Sequence, residues 1–175
     1  MNATSYGFAV GLIIGLIAII LLFKYANRDG KIKTEYDERQ KAVRGKAYKY
    51  AFYTVVFAQA ILMWFNMTGL DLPVADYVLQ FIVIIAGCTV LATYTIWNDV
   101  YWGLNNDHKK YQIIFAIAFV LNILPLVMNI IHGSMYEDGK LGMPMLNAVV
   151  IIMMVIVFAE LLIKRFADKY TDEEA

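Results

Sequence analysis

The sequence predicts an all-α polytopic membrane protein with five transmembrane helices in a single membrane domain over residues 1–175. Apolar residues make up 61% of the chain and charged residues only 17%, whereas a soluble domain has about 45–50% apolar residues even when Gly is counted. Long apolar stretches alternate with short polar segments, and each stretch is near the roughly 20 residues that cross a bilayer as a helix. The predicted spans are about 6–23, 51–67, 77–97, 111–131 and 145–163.

The basic residues orient these spans. Of the 15 Lys and Arg residues, all but Lys140 lie in the segments 24–50, 98–110 and 164–175. Lys and Arg are concentrated in the cytoplasmic segments of membrane proteins. We therefore expect the N-terminus outside and the C-terminus inside. The first span follows a leader without basic residues or a cleavage site, so we expect it to be an uncleaved span.

The connector between the first two spans predicts a cytoplasmic amphipathic helix over about 34–50. Thr34 and Asp37 fit a capping pattern, acidic residues come early and basic residues late, and no Pro occurs before Met67. We expect this helix to continue into the second span, with anionic lipid headgroups or a cytoplasmic protein as its partner. The interleaved acids argue against nucleic acid. The candidate contact residues are Tyr36, Arg39, Lys41, Arg44, Lys46 and Lys49.

Small residues line one face of the first span. Gly7, Gly11 and Gly15 recur every four residues, a pattern that lets another helix backbone approach closely. This face either packs against a neighbouring helix of the same chain or forms the seam of a homo-oligomer.

Polar residues inside the spans form two further candidate sites. Glu160 in the fifth span is either a proton or cation site or an interfacial ion pair with Lys164. A polar face on the fourth span either lines a path for a small solute or forms interhelical hydrogen bonds. The residues of that face are Asn122, Pro125, Asn129 and His132.

Catalytic, cofactor and metal chemistry have no recognisable pattern in this sequence. Cys88 is the only cysteine, and the predicted topology separates His108 from His132, so no disulfide or metal site is expected. No HExxH, CxxC, GxSxG or phosphate-loop motif occurs. We therefore expect no enzymatic activity and no cofactor.

Two polar segments resemble a known group of proteins. They are EYDERQ at residues 35–40, continued by RGKAYKYAF at 44–52, and WNDVYWGLN at 97–105. Both segments resemble those of uncharacterised small integral membrane proteins that are common in Firmicutes, a family for which the resemblance implies no activity. It does imply that the two cytoplasmic segments form a unit, in which Asp99 and Asp107 face Arg39, Arg44 or Lys46.

These observations lead to two functional expectations. The first is a non-enzymatic integral membrane protein of the bacterial cytoplasmic membrane, with an accessory, sensing or immunity-type role through contacts with lipids, a protein partner or a second copy. The alternative is a small transporter or channel subunit with a polar path along the fourth helix.

Overall fold

The computed structural model describes the backbone of residues 3–173 and the side chains of residues 10, 11 and 13–169. This part of the chain forms five α-helices and one short β-hairpin. The elements are α1 (Ala3–Ala26), α2 (Glu38–Thr68), α3 (Asp76–Trp97), α4 (His108–Ile131), β1 (Tyr136–Glu137), β2 (Lys140–Leu141) and α5 (Pro144–Glu173).

The helices confirm the all-α polytopic membrane fold. Helices α2 to α5 are each long and apolar enough to cross a membrane, and the described apolar stretch of α1, Ile13–Ala26, is shorter. Large apolar side chains remain exposed along them, including Phe57 at 70%, Leu121 at 64% and Ile131 at 71%. Lipid tails satisfy such a surface, whereas water does not. The crossing of the membrane by α1 and the orientation of the chain stay predictions.

The start of α2 differs from the sequence prediction. The helix predicted over 34–50 begins at Glu38, and residues 34–37 lie in no helix or strand. The Glu35 N–H donates to Asn105 Oδ1 at 2.8 Å, and the Glu35 carbonyl accepts from the Leu104 N–H at 2.8 Å. These bonds hold the backbone out of the helix and outweigh a cap worth about 1 kcal/mol. The predicted continuation into the second span is confirmed, because α2 is unbroken as far as Thr68.

The chain divides into two compact units, which are described separately. The first comprises Met1–Asp37 and Trp102–Ile117, and the second comprises Glu38–Tyr101 and Ala118–Ala175. In the second unit α3 packs against both α2 and α5. Buried Val78, Val83 and Ile96 of α3 and buried Val157 of α5 contribute to its core. Gly87 is also buried, and a Cβ added there would lie 2.5 Å from Val55 Cγ2, so its small size sets the α2–α3 approach.

A β-hairpin occupies the segment between α4 and α5, where the sequence analysis expected only a loop. β1 pairs antiparallel with β2, with Tyr136 opposite Leu141 and Glu137 opposite Lys140. Asp138 and Gly139 form the turn with φ values of 49° and 80°, as a type I′ turn requires. The Asp-Gly dipeptide was the sequence signal for this hairpin.

Candidate functional site

Three asparagines form the centre of a hydrogen-bonded cluster in the first unit. We call this cluster, made of residues 27–35 and 102–111, the connector–loop clasp. Asn27, Asn105 and Asn106 are 1%, 8% and 5% exposed. The Asn106 amide donates to Asn27 Oδ1 at 2.8 Å, and the Asn27 amide donates to the Lys31 carbonyl at 2.8 Å. Their buried amide groups are therefore satisfied by the protein, as burial requires.

Asn105 holds the connector in its non-helical path. Its Oδ1 accepts from the Glu35 N–H, and its amide donates to the Lys33 carbonyl at 3.0 Å and to the Asp29 carboxylate at 3.2 Å. The backbone carbonyl of Asn105 accepts from the Arg28 N–H at 2.8 Å. One side chain thus satisfies backbone groups that neither a helix nor a sheet pairs.

Gly103 allows the connector and the loop to approach closely. Its N–H donates to Asn106 Oδ1 at 2.7 Å. A Cβ at this position would overlap the Thr34 side chain and lie 2.9 Å from the Glu35 carbonyl oxygen. Any larger residue would force the two segments apart.

Aromatic rings pack beside the same loop. The ring centroid of Trp102 lies 4.6 Å from that of His108 and 5.7 Å from that of Tyr111, the latter in an edge-on arrangement. The Tyr111 hydroxyl is 3.3 Å from the Asn106 amide nitrogen. The rings give the polar cluster an apolar wall.

The acidic groups of the clasp are engaged within it. The Lys31 backbone N–H and, less strongly, the Asn105 amide lower the pKa of Asp29. Lys31 Nζ lies 3.2 Å from Glu35 Oε1, and Glu35 is the main cause of a raised Lys31 pKa. Asp107 Oδ1 accepts from the N–H groups of Lys109 and Lys110 at 3.1 and 3.4 Å and so caps α4.

Basic residues of the clasp remain exposed. Within the described part of the chain, the side chains of Arg28, Lys33 and Lys109 are exposed and make no hydrogen bond, ion pair or ring contact. Lys110, in contrast, donates to the Tyr25 carbonyl at 3.1 Å. The clasp therefore engages its carboxylates in internal hydrogen bonds and ion pairs, whereas these three cationic side chains remain exposed.

In the second unit, two of the predicted contact residues at the start of α2 bind loop carbonyls. Arg39 donates to the Asn98 carbonyl at 3.2 Å, and Arg44 donates to the Val100 carbonyl at 3.3 Å. Of the other predicted contact residues, Lys41 pairs with Glu38 at 2.6 Å, Lys49 lies 5.7 Å from the Tyr53 ring centroid, Lys46 is exposed and Tyr36 is half-buried.

The ion pairs expected for Asp99 and Asp107 were wrong. Asp99 pairs with Lys164 at 3.2 Å, and Asp107 caps α4. The charge pattern suggested arginine–carboxylate pairs, but Arg39 and Arg44 each donate to a backbone carbonyl. Asn27, Asn105 and Asn106, which hold the first unit's loop, were missed because a lone Asn in a polar segment carries no pairing signal.

Glu160 does not form the expected ion pair with Lys164. Thr93 Oγ1 donates to Glu160 Oε1 at 2.8 Å. Lys164 instead contacts Asp99 at 3.2 Å and Asp168 at 3.0 Å. The interfacial-pair interpretation is therefore wrong, and Thr93 is a partner that the sequence analysis did not single out for this role.

The polar side chains of α4 bond to their own helix. Asn122 donates to the Ala118 carbonyl and Asn129 to the Pro125 carbonyl, both at 2.8 Å. His132 Nδ1 lies 2.6 Å from the Met128 carbonyl oxygen. Within the described residues these side chains form no interhelical hydrogen bond. The predicted interhelical hydrogen bonds of the α4 polar face are therefore not observed within a single chain.

The glycine face of α1 is open where it is described. A Cβ at Gly11 or Gly15 would have no heavy atom within 4 Å, so close packing of this face against the same chain is not observed there. The surroundings of Gly7 lie outside the described residues. The homo-oligomer seam stays a prediction.

Side-chain contacts join the β1–β2 hairpin of the second unit to the start of α3 and the turn before it. The Tyr77 hydroxyl donates to Glu137 Oε2 at 2.6 Å, and Glu137 Oε1 accepts from the Met143 N–H at 3.0 Å. Lys140 pairs with Asp71. A cavity of about 40 Å³ near Asp71 has room for ordered water.

Neither a metal centre nor a relative identifies the chain. No group of three or more His, Cys, Asp or Glu side chains in the described ranges is placed to hold a metal ion. Comparisons with protein-family models, with curated proteins and with solved structures find no match.

Proposed function

We propose that this chain is a non-enzymatic integral membrane protein that acts through its connector–loop clasp, with anionic lipid headgroups of the bacterial cytoplasmic membrane as its primary partner. The observation that carries the proposal is the separation of charge within the clasp. Asp29, Glu35 and Asp107 are used internally, while Arg28 and Lys33 are exposed and unpaired in the described chain.

The clasp suits such a partner for two physical reasons. Each Lys or Arg near an anionic leaflet contributes about 1 kcal/mol, and this attraction falls off within roughly 10 Å at moderate salt. The asparagine network also holds the connector in one path, which lowers the entropy lost on binding. Membership of the Firmicutes family and an accessory, sensing or immunity-type role fit this proposal.

The test is a lipid-retention measurement on the full chain. The protein is purified in lipid nanodiscs that contain both phosphatidylglycerol and phosphatidylcholine, and native mass spectrometry counts the lipids that remain bound. Arg28, Lys33 and Lys109 are changed together to Gln. We expect roughly a fivefold loss of bound phosphatidylglycerol for each residue that contacts a headgroup, and a smaller difference between wild type and variant at high salt.

The matched control is Lys140→Gln. It also removes one cation, but from the hairpin, where Lys140 is paired with Asp71. The control should retain phosphatidylglycerol as the wild type does. Equal retention by the triple variant and the wild type would refute the lipid proposal, and retention of a protein in place of lipid would redirect it to a protein partner.

The transporter alternative gains no support from the described residues. The polar groups of α4 bond within their own helix. It remains a prediction from the spacing of Asn122, Asn129 and His132.

A further inference from the structure

Among the described residues, one carboxylate oxygen of Glu160 finds no hydrogen-bond partner. Glu160 Oε1 accepts from Thr93, whereas Oε2 is buried and has no hydrogen-bond partner in the described chain. The residue lies in a helix apolar enough to span a membrane, close to the buried Val157. A bare carboxylate at such a position costs several kcal/mol unless a positive charge compensates it.

The described chain provides no cation for this purpose. Lys164, one turn further along α5, is held between Asp99 and Asp168. Arg165 is exposed. Helix α3, which packs against α5, contains no Lys or Arg. Among the described residues, therefore, no cation compensates the Glu160 carboxylate.

The Thr93 hydroxyl donates its hydrogen bond to the Glu160 carboxylate. The neighbouring threonines of α3 donate to carbonyls of their own helix, Thr89 to Ile85 at 2.8 Å and Thr95 to Leu91 at 2.9 Å. Thr93 instead donates across to α5. An interhelical bond of this type orients a carboxylate, as hydrogen bonds to ion-binding carboxylates do.

We propose that Glu160 and Thr93 form an intramembrane binding site for a monovalent cation, either a proton or Na⁺. Either cation neutralises the carboxylate, and Na⁺ also gives Oε2 a partner. A proton taken from water forms an O–H bond on the carboxyl group, and Na⁺ binds the oxygen without any covalent change. This inference is independent of the lipid contacts proposed for the clasp.

Two titrations of the full chain in detergent distinguish proton binding from Na⁺ binding. One follows thermal unfolding against pH in Na⁺-free buffer. The other replaces choline by Na⁺ at constant ionic strength and pH. Binding to the folded state raises Tm with the concentration of the cation. A shift in the first titration identifies a proton, and a shift in the second identifies Na⁺.

Glu160→Gln isolates the site from other ionisable groups. It keeps the shape of the side chain and leaves every other group on the two packed helices and the adjoining turn unchanged. We expect it to lose the part of the Tm shift that the wild type shows with the identified cation. The other ionisable residues of α3, α5 and the adjoining turn are Asp76, Tyr77, Cys88, Tyr94, Asp99, Lys164, Arg165, Asp168, Lys169, Tyr170, Asp172 and Glu173.

Thr93→Val and its matched control Thr89→Val provide a second comparison that needs no change at Glu160. Thr93→Val should weaken the response to the cation, and Thr89→Val should respond as the wild type does. The proposal is overturned if the wild type responds to neither cation or if Glu160→Gln responds equally. Equal responses of the two threonine variants would overturn it should Glu160→Gln not fold.

Discussion

Replacing Asn106 by alanine tests whether the side-chain amides hold the clasp together. Asn106 accepts from the Gly103 N–H at 2.7 Å and donates to Asn27 Oδ1 at 2.8 Å. The variant leaves the buried Gly103 N–H without a partner and leaves Asn27 Oδ1 only the weak contact with the Tyr111 hydroxyl at 3.5 Å. Each buried polar group left unsatisfied costs roughly 1–3 kcal/mol, so local opening should become about 2–4 kcal/mol easier.

Hydrogen exchange measures this opening directly. Since about 1.4 kcal/mol corresponds to a factor of ten, backbone amides in peptides covering residues 27–35 and 102–107 should exchange roughly 30- to 700-fold faster. Mass spectrometry of the protein in nanodiscs resolves these peptides. Asn122→Ala is the matched control, because its amide donates only to a carbonyl of its own helix, and it should leave exchange in the clasp unchanged. Wild-type exchange rates in Asn106→Ala would refute the reasoning.

Two further predictions concern the second unit. Gly87→Ala should destabilise the second unit by about 1–3 kcal/mol, because the new methyl group overlaps Val55. Gly45→Ala should stabilise α2 by up to about 1 kcal/mol, because a Cβ there meets nothing within 4 Å. Reversible unfolding in mixed micelles measures both changes, and shifts of equal sign would contradict this account of helix packing. The Tyr77 hydroxyl and, next, the Met143 N–H hold the Glu137 pKa below its ordinary value of 4.5. The hairpin is therefore fully stabilised above that value and loses this contribution as pH falls through the folded-state pKa. In Tyr77→Phe the acid transition, followed by NMR of the hairpin amides, should move to higher pH; an unmoved transition would show that the hydroxyl has no such effect.

The helices were predictable because their signal is local. Length and apolar composition identified spans that the structure places inside α2, α3, α4 and α5. Such segments must satisfy their backbone hydrogen bonds internally in lipid, so the helix is the only conformation that their composition allows. The hairpin also carried a local signal, Asp138-Gly139, although the sequence analysis did not use it.

The partners of charged residues were not predictable in the same way. Helical spacing placed Lys164 within reach of Glu160, yet Lys164 binds Asp99 and Asp168 instead. A long cationic side chain has several acceptors within its reach, and the packing of α3 against α5 decides between them. The same packing brings Thr93 to Glu160.

By itself, the sequence determined that this is a helical membrane protein and where its main helices lie, because apolar length and helix formation depend on neighbours along the chain. Only the tertiary structure decided the path of the connector. Glu35 and Asn27 find their partners Asn105 and Asn106 at separations of 70 and 79 residues. These bonds override the local capping pattern at Thr34, since burial makes an unmet hydrogen bond more costly than a lost cap.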